Sequence, residues 1–188
     1  DKFFIIDFEN ILRSYSINDG REIWNVKTAK SLVRSQKKLS MVIVDEKIYF
    51  NNSLGDISSV NINSGELIWQ TPTQSSLVYG QGFFLKTSDI IADKDTLYFS
   101  NNKNKFFSLD MQTGTFKWQQ EINSILRPSL VDDYLFTVST EGYLIIIEKN
   151  SGNIIRINDI FSDIKPNKRS KISPIGFIVG KNNIYLTT

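Results

Sequence analysis

The 188-residue chain contains no cysteine and no histidine. Without these two residue types it cannot form a Ser-His-Asp triad, a cysteine nucleophile or an ordinary zinc site. A chain free of cysteine fits a reducing and an oxidising compartment equally well. The two absences therefore restrict the chemistry of the protein more than its location.

The chain also lacks an excess of charge and a long hydrophobic run. Its 22 basic and 20 acidic side chains leave a formal net charge of +2. Because nucleic-acid binding usually requires a strong basic stripe, we expect no nucleic-acid partner. The longest apolar runs, such as residues 143–147, are far shorter than the roughly 18 to 20 residues of a membrane-spanning helix. We therefore expect no transmembrane segment in this chain.

A short phrase that ends in tryptophan is written three times along the sequence. Each phrase places a glycine four residues before the tryptophan, which gives the pairs Gly20 and Trp24, Gly65 and Trp69, and Gly114 and Trp118. A fourth copy keeps its glycine, Gly152, but has Arg156 in place of the tryptophan. The glycines follow one another at spacings of 45, 49 and 38 residues. A unit of forty-odd residues is typical of solenoids and propellers.

Each repeat unit divides into short apolar or alternating runs separated by Gly, Asn, Asp and Ser, which indicates antiparallel strands and turns. Four strands per unit predict an all-β propeller built from four-stranded antiparallel blades. We assign residues 1–188 to one partial propeller, with blade units at approximately 1–28, 39–71, 83–120, 129–158 and 172–188. The first unit supplies three strands and the last supplies two, and the first strand of the third unit is predicted over residues 83–91. We therefore expect about four blades, as part of an eight-bladed ring.

The glycine and the tryptophan of each phrase have separate structural reasons. The turn before the fourth strand needs a positive φ, which glycine adopts without steric cost. A tryptophan that recurs on every outer strand is expected to pack between neighbouring blades and to bury roughly 150 to 250 Å². We interpret these positions as structural docking residues: Gly20, Trp24, Gly65, Trp69, Gly114, Trp118 and Gly152. Arg156 is interpreted as drift of the repeat.

Residues 109–118 resemble the tryptophan-docking motif of the quinoprotein-type (PQQ-like) propeller repeat, and residues 60–69 and 15–24 are similar. The resemblance covers almost the whole chain. It implies one of three functional classes, because proteins of all three classes contain this repeat. Quinoprotein dehydrogenases hold pyrroloquinoline quinone and calcium in an eight-bladed ring. The BamB family of outer-membrane assembly lipoproteins uses a similar ring without cofactor as a scaffold. Other propellers of this type sense extracytoplasmic ligands.

The resemblance to the dehydrogenases implies an adjacent cysteine pair, a tryptophan platform and calcium ligands. This chain has no cysteine, and its three tryptophans all belong to the docking motif. Its carboxylate pairs lack the ligand spacing of an EF-hand and are interpreted as turn residues: Asp93 with Asp95, Asp132 with Asp133, and Asp159 with Asp163. The run Gly80-Gln81-Gly82 lacks the third glycine of a dinucleotide fingerprint. We predict no catalytic residue, cofactor or metal site, and expect that the chain is not an enzyme.

The resemblance to the BamB family implies that loops between blades contact a barrel-forming protein partner. The loop after Trp118 carries Leu126 and Arg127, and the next such loop carries Asp159 and Asp163. We predict that these four residues bind the partner, with a plain connecting loop as the alternative. The basic run at positions 165, 168, 169 and 171 is expected to be solvated or to face anionic head groups.

We therefore expect a non-catalytic, protein-binding scaffold that acts in outer-membrane β-barrel assembly. The resemblance implies a periplasmic location, with tethering to the outer membrane by a lipid anchor outside these residues. The dehydrogenase fragment and the ligand-sensing propeller remain open as alternatives.

Overall fold

The computed structural model describes residues 1–28, 39–74, 85–169 and 171–188. In this part of the chain, the strands form five antiparallel sheets, each a meander in which a strand pairs with its neighbours in sequence. The first sheet contains β1 (Lys2–Ile6), β2 (Ile11–Ser16) and β3 (Glu22–Lys27). The second contains β4 (Met41–Val44), β5 (Lys47–Asn51), β6 (Ile57–Asn61) and β7 (Leu67–Thr71).

The third sheet contains β8 (Ile91–Asp93), β9 (Thr96–Asn101), β10 (Lys105–Asp110) and β11 (Phe116–Gln120). The fourth contains β12 (Ser129–Val131), β13 (Tyr134–Val138), β14 (Tyr143–Glu148) and β15 (Ile154–Asp159). The helix α1 (Pro166–Arg169) precedes the fifth sheet, which contains β16 (Gly176–Val179) and β17 (Ile184–Thr187). The predicted all-β fold of four-stranded antiparallel blades is confirmed.

Tight two-residue turns join the first and second strands of the three central sheets. The first residue of each turn has a positive φ: 51° at Asp45, 51° at Lys94 and 52° at Asp132. Asp tolerates the left-handed region better than most residues do, which explains why two of these three turns begin with it.

One predicted strand is wrong. The sequence pattern predicts a strand over residues 83–91, but the strand of this sheet is Ile91–Asp93, and residues 85–90 form no strand. Residues 83 and 84 lie outside the described residues. Ser88 explains the departure, because its hydroxyl accepts a hydrogen bond from the Ser100 N–H at 2.9 Å and donates one to the Asp89 carbonyl at 3.0 Å. These side-chain bonds take over partners that a regular strand ladder would use.

A β-bulge recurs in each of the first four sheets, between the last two strands of the sheet. The pairing register shifts after Ser14, Ser59, Ser108 and Ile146, just where the strand that follows the turn begins. The same three serines stand directly opposite Trp24, Trp69 and Trp118, whereas Ile146 stands opposite Arg156. A bulge increases local twist and re-aims the side chains that follow it.

The chain divides into two compact units, residues 1–86 with 111–115, and residues 87–110 with 116–188. Each unit has its own buried cluster. In the first unit, Trp24 and Met41 pack against Leu12, Ile48 and Phe50. In the second, Trp118 and Leu130 pack against a cluster that includes Phe106, Leu135 and Ile147. Burial of such apolar and aromatic surface is the main favourable contribution to folding.

Each tryptophan lies against the turn of the next repeat phrase. The indole N–H donates to a backbone carbonyl three residues before the next glycine, at 3.3 Å for Trp24 to Ile62, 3.1 Å for Trp69 to Met111 and 2.9 Å for Trp118 to Lys149. The glycines that follow these acceptors are Gly65, Gly114 and Gly152.

These three glycines have no room for a side chain. A Cβ at Gly152, for example, would lie 2.6 Å from the Trp118 ring, and φ at this position is 77°. By contrast, Gly20 has a φ of 69° but nothing within 4 Å of the place where a Cβ would be. Glycine is therefore required at the later turns both for backbone conformation and for close approach of the ring.

Candidate functional site

The loop between β11 and β12, residues 121–128, is fixed to the sheets by its first half. Ile122 is buried. The Ser124 hydroxyl donates to the Val138 carbonyl at 2.7 Å and accepts from the Thr137 hydroxyl at 3.1 Å. Asn123 accepts a hydrogen bond from the Thr140 N–H at its backbone carbonyl, 2.9 Å away. The loop therefore leaves the sheets from a buried, hydrogen-bonded base.

The second half of this loop carries the predicted contact residues. Leu126 is half-buried, and its N–H donates to the Ser124 hydroxyl at 3.3 Å. Arg127 is exposed and forms no hydrogen bond or ion pair with any residue in the described part of the chain. Pro128 is buried and brings the chain into β12. An exposed guanidinium therefore follows a half-buried leucine on a loop that is held at both ends.

Asp159 ends β15 and Asp163 lies in the loop that follows, and the structure gives these other two predicted residues different environments. Asp159 forms an ion pair with Arg169 and accepts the Phe161 N–H at 2.9 Å. The hydrogen bond from Arg169 is the main cause that lowers the pKa of Asp159. Asp163 is exposed, and Ser162 donates to its carboxylate at 3.4 Å. Asp159 thus holds its own loop together, while Asp163 faces solvent.

Both loops lie beside the same β-turn, residues 139–142 between β13 and β14. The first loop bonds to this turn through Asn123, whose side-chain amide donates to Glu141 at 2.7 Å. The second loop bonds to it through the Ile160 N–H, which donates to the Gly142 carbonyl at 3.0 Å, while the Phe161 ring covers Gly142. The structure therefore brings the two predicted loops to the same end of the fourth sheet, beside the turn that joins β13 and β14.

Glu141 adds a fixed carboxylate between the two loops. Burial acts to raise the pKa of Glu141, but hydrogen bonds outweigh this effect and lower it. The donors include Thr140 and Asn123. We refer to the two loops and this turn, residues 121–128, 139–142 and 160–165, as the two-loop surface. Glu141 could not be predicted from the sequence, since nothing in the pattern of a turn residue shows which loops will pack beside it.

Two lysines form ion pairs with three carboxylates of the other predicted pairs. Lys149 is buried at its side chain and lies 3.0 Å from Asp93 and 3.4 Å from Asp133. The hydrogen bond to Asp93 is the main cause that raises the pKa of Lys149. Asp95 lies 3.0 Å from Lys117. Within the described ranges, no group of three or more acidic side chains is placed to hold a metal ion. The run Gly80-Gln81-Gly82 lies outside the described residues.

The basic run after β15 contains one paired residue and three exposed ones. Arg169 pairs with Asp159, whereas Lys165, Lys168 and Lys171 are exposed. Among the described residues, no helix has the length and the apolar character that crossing a membrane requires.

A groove lies where the first strands of the third, fourth and fifth sheets come together. Its volume is about 560 Å³. The residues that line it come from β8, from Arg127 to Val131, and from β16: Ile91, Ala92, Arg127, Pro128, Ser129, Leu130, Val131, Phe177, Ile178 and Val179. This groove could not be predicted from the sequence, because residues from three separate strands have no diagnostic spacing.

The sheets, the recurrent bulge and the docking of each tryptophan on the next glycine turn define a β-propeller of the PQQ-like repeat class. A family model described as outer membrane protein assembly factor BamB matches residues 1–158. The chain therefore belongs to that family. No curated protein sequence matches the chain significantly.

Solved structures with the same fold include a BamB protein, a dehydrogenase and a designed protein. The crystal structure of BamB from Moraxella catarrhalis is 21% identical over 85% of this chain and 50% of its own, with a TM-score of 0.65. A europium-containing methanol dehydrogenase is 14% identical over 85% of this chain and 40% of its own, with a TM-score of 0.67. The computationally designed Ika8 protein is 11% identical over 98% and 52%, with a TM-score of 0.68. The chain thus spans about half the length of these structures or less, and the likeness shows the fold alone.

Proposed function

We propose that this chain is a non-catalytic, protein-binding scaffold that acts in the assembly of outer-membrane β-barrel proteins. Membership of the BamB family supports this proposal. The observation that carries it is the exposed, unpaired Arg127 beside Leu126, on a loop whose base is buried and hydrogen-bonded. The corresponding location is the periplasm, with tethering to the outer membrane by a lipid anchor outside these residues.

The two-loop surface is the proposed contact with the partner. Arginine is enriched among the side chains that dominate binding energy at interfaces, so Arg127 is its centre, and Leu126 adds apolar contact area beside it. Asp163 supplies an exposed carboxylate on the second loop. Asp159 contributes by holding that loop through Arg169.

The hydrogen bonds at the base of the first loop serve this function. A loop that is ordered before binding loses little conformational freedom when the partner arrives, so more of the contact energy remains as affinity. Ser124 and Asn123 provide this order, through bonds to Val138 and to the turn at Thr140.

We also propose that residues 1–188 are part of a larger ring of eight blades, divided into the blade units predicted from the sequence. The support is that the chain covers 50% of the Moraxella BamB chain and 52% of the designed chain.

The test is a double charge reversal in the full-length protein. Leu126→Glu combined with Arg127→Glu is expected to abolish co-purification of the barrel-forming partner from detergent-solubilised outer membranes. A control is available, because Ile155 and Arg156 on β15 form an exposed pair of an apolar residue and an arginine away from the two-loop surface. Ile155→Glu with Arg156→Glu should leave partner binding intact.

Thermal unfolding of both variants keeps the comparison interpretable. Each double variant should melt within a few degrees of the wild type, because Arg127, Ile155 and Arg156 are exposed, and exposed substitutions usually change stability by no more than about 0.5 kcal/mol. Leu126 is half-buried, so the larger shift is expected in the Leu126/Arg127 variant. Wild-type binding by the Leu126/Arg127 variant would overturn the proposed contact. Equal loss in both variants would also overturn it, since the loss would then not depend on the loop.

A further inference from the structure

Within the described residues, three turns accept a tryptophan ring in nearly the same way. The indole N–H reaches the acceptor carbonyl at 3.3 Å on Ile62, 3.1 Å on Met111 and 2.9 Å on Lys149. A Cβ on the glycine that follows each acceptor would lie 2.6 or 2.7 Å from the ring. In the second and third sheets, a tyrosine ring packs on the tryptophan with the same centroid separation of 5.9 Å. The hydrogen bond and the ring contact therefore do not distinguish one turn from another.

The acceptor residues differ in their side chains. Two of them are apolar, whereas the third, Lys149, has a charged side chain that is only 9% exposed. Its ammonium group donates to the Asp132 carbonyl at 2.8 Å and lies 3.4 Å from the Asp133 carboxylate, and both of these residues belong to its own sheet. A further partner comes from the third sheet, because the Asp93 carboxylate accepts a hydrogen bond from the ammonium group at 3.0 Å. Lys149 therefore links the third sheet to the fourth.

Asp93 also departs from the repeat. It is the last residue of β8, whereas the first strands of the second, fourth and fifth sheets end in Val44, Val131 and Val179. A pair of charges at the junction of the third and fourth sheets thus stands where the other repeats have apolar residues. A buried ion pair adds little net stability, because the cost of removing two charges from water offsets their attraction. Its better-attested use is to specify which elements pack together.

We propose that the Asp93–Lys149 pair determines which sheet docks on the turn at Gly152. If the second sheet docked there in place of the third, Lys149 would lose the Asp93 carboxylate and face Val44. If the third sheet docked on a turn with an apolar acceptor such as Met111, Asp93 would lose its cation. Either arrangement removes a charge from its partner in a poorly solvated place, which is more costly than a mismatch of apolar side chains. The pair thus selects the native order of the sheets by penalising the wrong ones.

Introduced cysteines can report the docking order, because residues 1–188 contain none. The Gln120 side chain donates to the Gly152 carbonyl at 2.7 Å. Thr71 has the same role at the Gly114 carbonyl, at 2.6 Å. Gln120→Cys with Asn153→Cys therefore reports native docking, whereas Thr71→Cys with Asn153→Cys reports docking of the second sheet on the wrong turn. The full-length protein is refolded from urea and treated with a short bismaleimide, and each cross-linked peptide is quantified by mass spectrometry.

The pair is removed by giving both positions the apolar residues of the other repeats, with Asp93→Val and Lys149→Met. Each single change should lower the urea midpoint, since it leaves one charge without its partner, and the double change should restore the midpoint. In the double variant the native cross-link should persist, and the wrong cross-link should rise at least tenfold above the wild type. Lys117→Met is the matched control, because it removes a lysine–aspartate pair, with Asp95, that lies within the third sheet. This control should leave the wrong cross-link at the wild-type level.

Three results would overturn the inference. Equal yields of the wrong cross-link in the wild type and the double variant would show that the pair does not select the docking order. A urea midpoint of the double variant no higher than that of the less stable single variant would show that the two residues do not act together. A rise of the wrong cross-link in Lys117→Met as large as in the double variant would show that the loss of any ion pair has this effect. The inference is independent of the proposed scaffold function, because none of these measurements involves a binding partner.

Discussion

Strands β11 and β15 occupy the same outermost position in the third and fourth sheets, but they are held very differently. On β11, Trp118 donates to the Lys149 carbonyl, and the Gln120 side chain donates to the Gly152 carbonyl at 2.7 Å. Lys117 pairs with Asp95 at 3.0 Å. On β15, Arg156 replaces the tryptophan and Ile155 replaces the lysine. Ile155 is 57% exposed, so this strand is fixed mainly through its pairing with β14.

The comparison separates two properties that the repeat phrase combines. The fourth phrase keeps the turn, with Gly152 at a φ of 77°, and it keeps the bulge after Ile146. It does so without a tryptophan, so the local hairpin geometry does not require the ring. The ring instead provides the contact between one sheet and the turn of the next phrase. Hairpin and docking are therefore separate contributions to the fold, and they can be tested separately.

The largest expected effect comes from removing the docking ring. Trp118→Ala deletes a ring that packs on Phe106 and Tyr98 and fills the space over Gly152. We expect a loss of about 3 kcal/mol or more in the free energy of unfolding, measured by urea titration. Arg156→Ala at the equivalent position should change it by less than about 0.5 kcal/mol. Equal effects at the two positions would refute the distinction between β11 and β15.

An intermediate effect is expected from filling the space under the ring. Gly152→Ala meets the Trp118 ring at 2.6 Å and also requires a positive φ, and we expect a loss of about 2 to 3 kcal/mol. Gly20→Ala has the same backbone requirement but meets nothing within 4 Å, so it should lose only about 1 kcal/mol. The difference between the two variants in urea unfolding measures the docking contact without altering the tryptophan. Similar losses would mean that backbone strain alone explains the glycine.

The smallest effect concerns the ion pair between Lys117 on β11 and Asp95, which has no counterpart at Ile155 on β15. The hydrogen bond from Lys117 is the main cause that lowers the pKa of Asp95 in the folded protein. A carboxyl whose pKa is lower when folded adds stability above its unfolded pKa, and this contribution is lost as pH falls through the folded value. The stability that Asp95 contributes is therefore lost as the pH drops below about 4.

Asp95→Asn should accordingly show a smaller decrease in urea midpoint between pH 6 and pH 3 than the wild type does. Asp163→Asn is the control, because Asp163 is exposed and has no cationic partner among the described residues. An unchanged pH response in Asp95→Asn would show that this pair contributes nothing measurable, as is common for exposed ion pairs.

The fold could be predicted from the sequence because its main signals are local and repeated. Turn glycines, alternating strands and a tryptophan at a fixed offset each depend on a few neighbouring residues, and repetition makes the pattern unambiguous. The segment 85–90 was mispredicted for the same reason. Its apolar residues Leu85 and Ile90 resemble a strand, but they are buried outside one, and the hydroxyl of Ser88 takes the place of regular pairing.

The candidate site was less predictable because its geometry is not local. The sequence indicated two loops that carry Leu126, Arg127, Asp159 and Asp163, and their contact with a partner stays a prediction. It did not indicate that both loops flank the turn at Glu141, or that Asp159 is held by Arg169. The groove depends on residues from three strands that are far apart in sequence, and only the arrangement of the sheets brings them together.

Each tryptophan donates its hydrogen bond to a residue that comes later in the chain, and this affects the order in which the repeats become stable. The acceptor of Trp24 lies 38 residues later in the chain, that of Trp69 lies 42 later, and that of Trp118 lies 31 later. During synthesis at roughly 5 to 20 residues per second, each ring must wait seconds for its acceptor to leave the ribosome. We therefore expect the first three repeats to become stable in order from the N-terminal end, each one repeat behind synthesis. In each of these three repeats, the newest hairpin is the one whose tryptophan ring is still exposed.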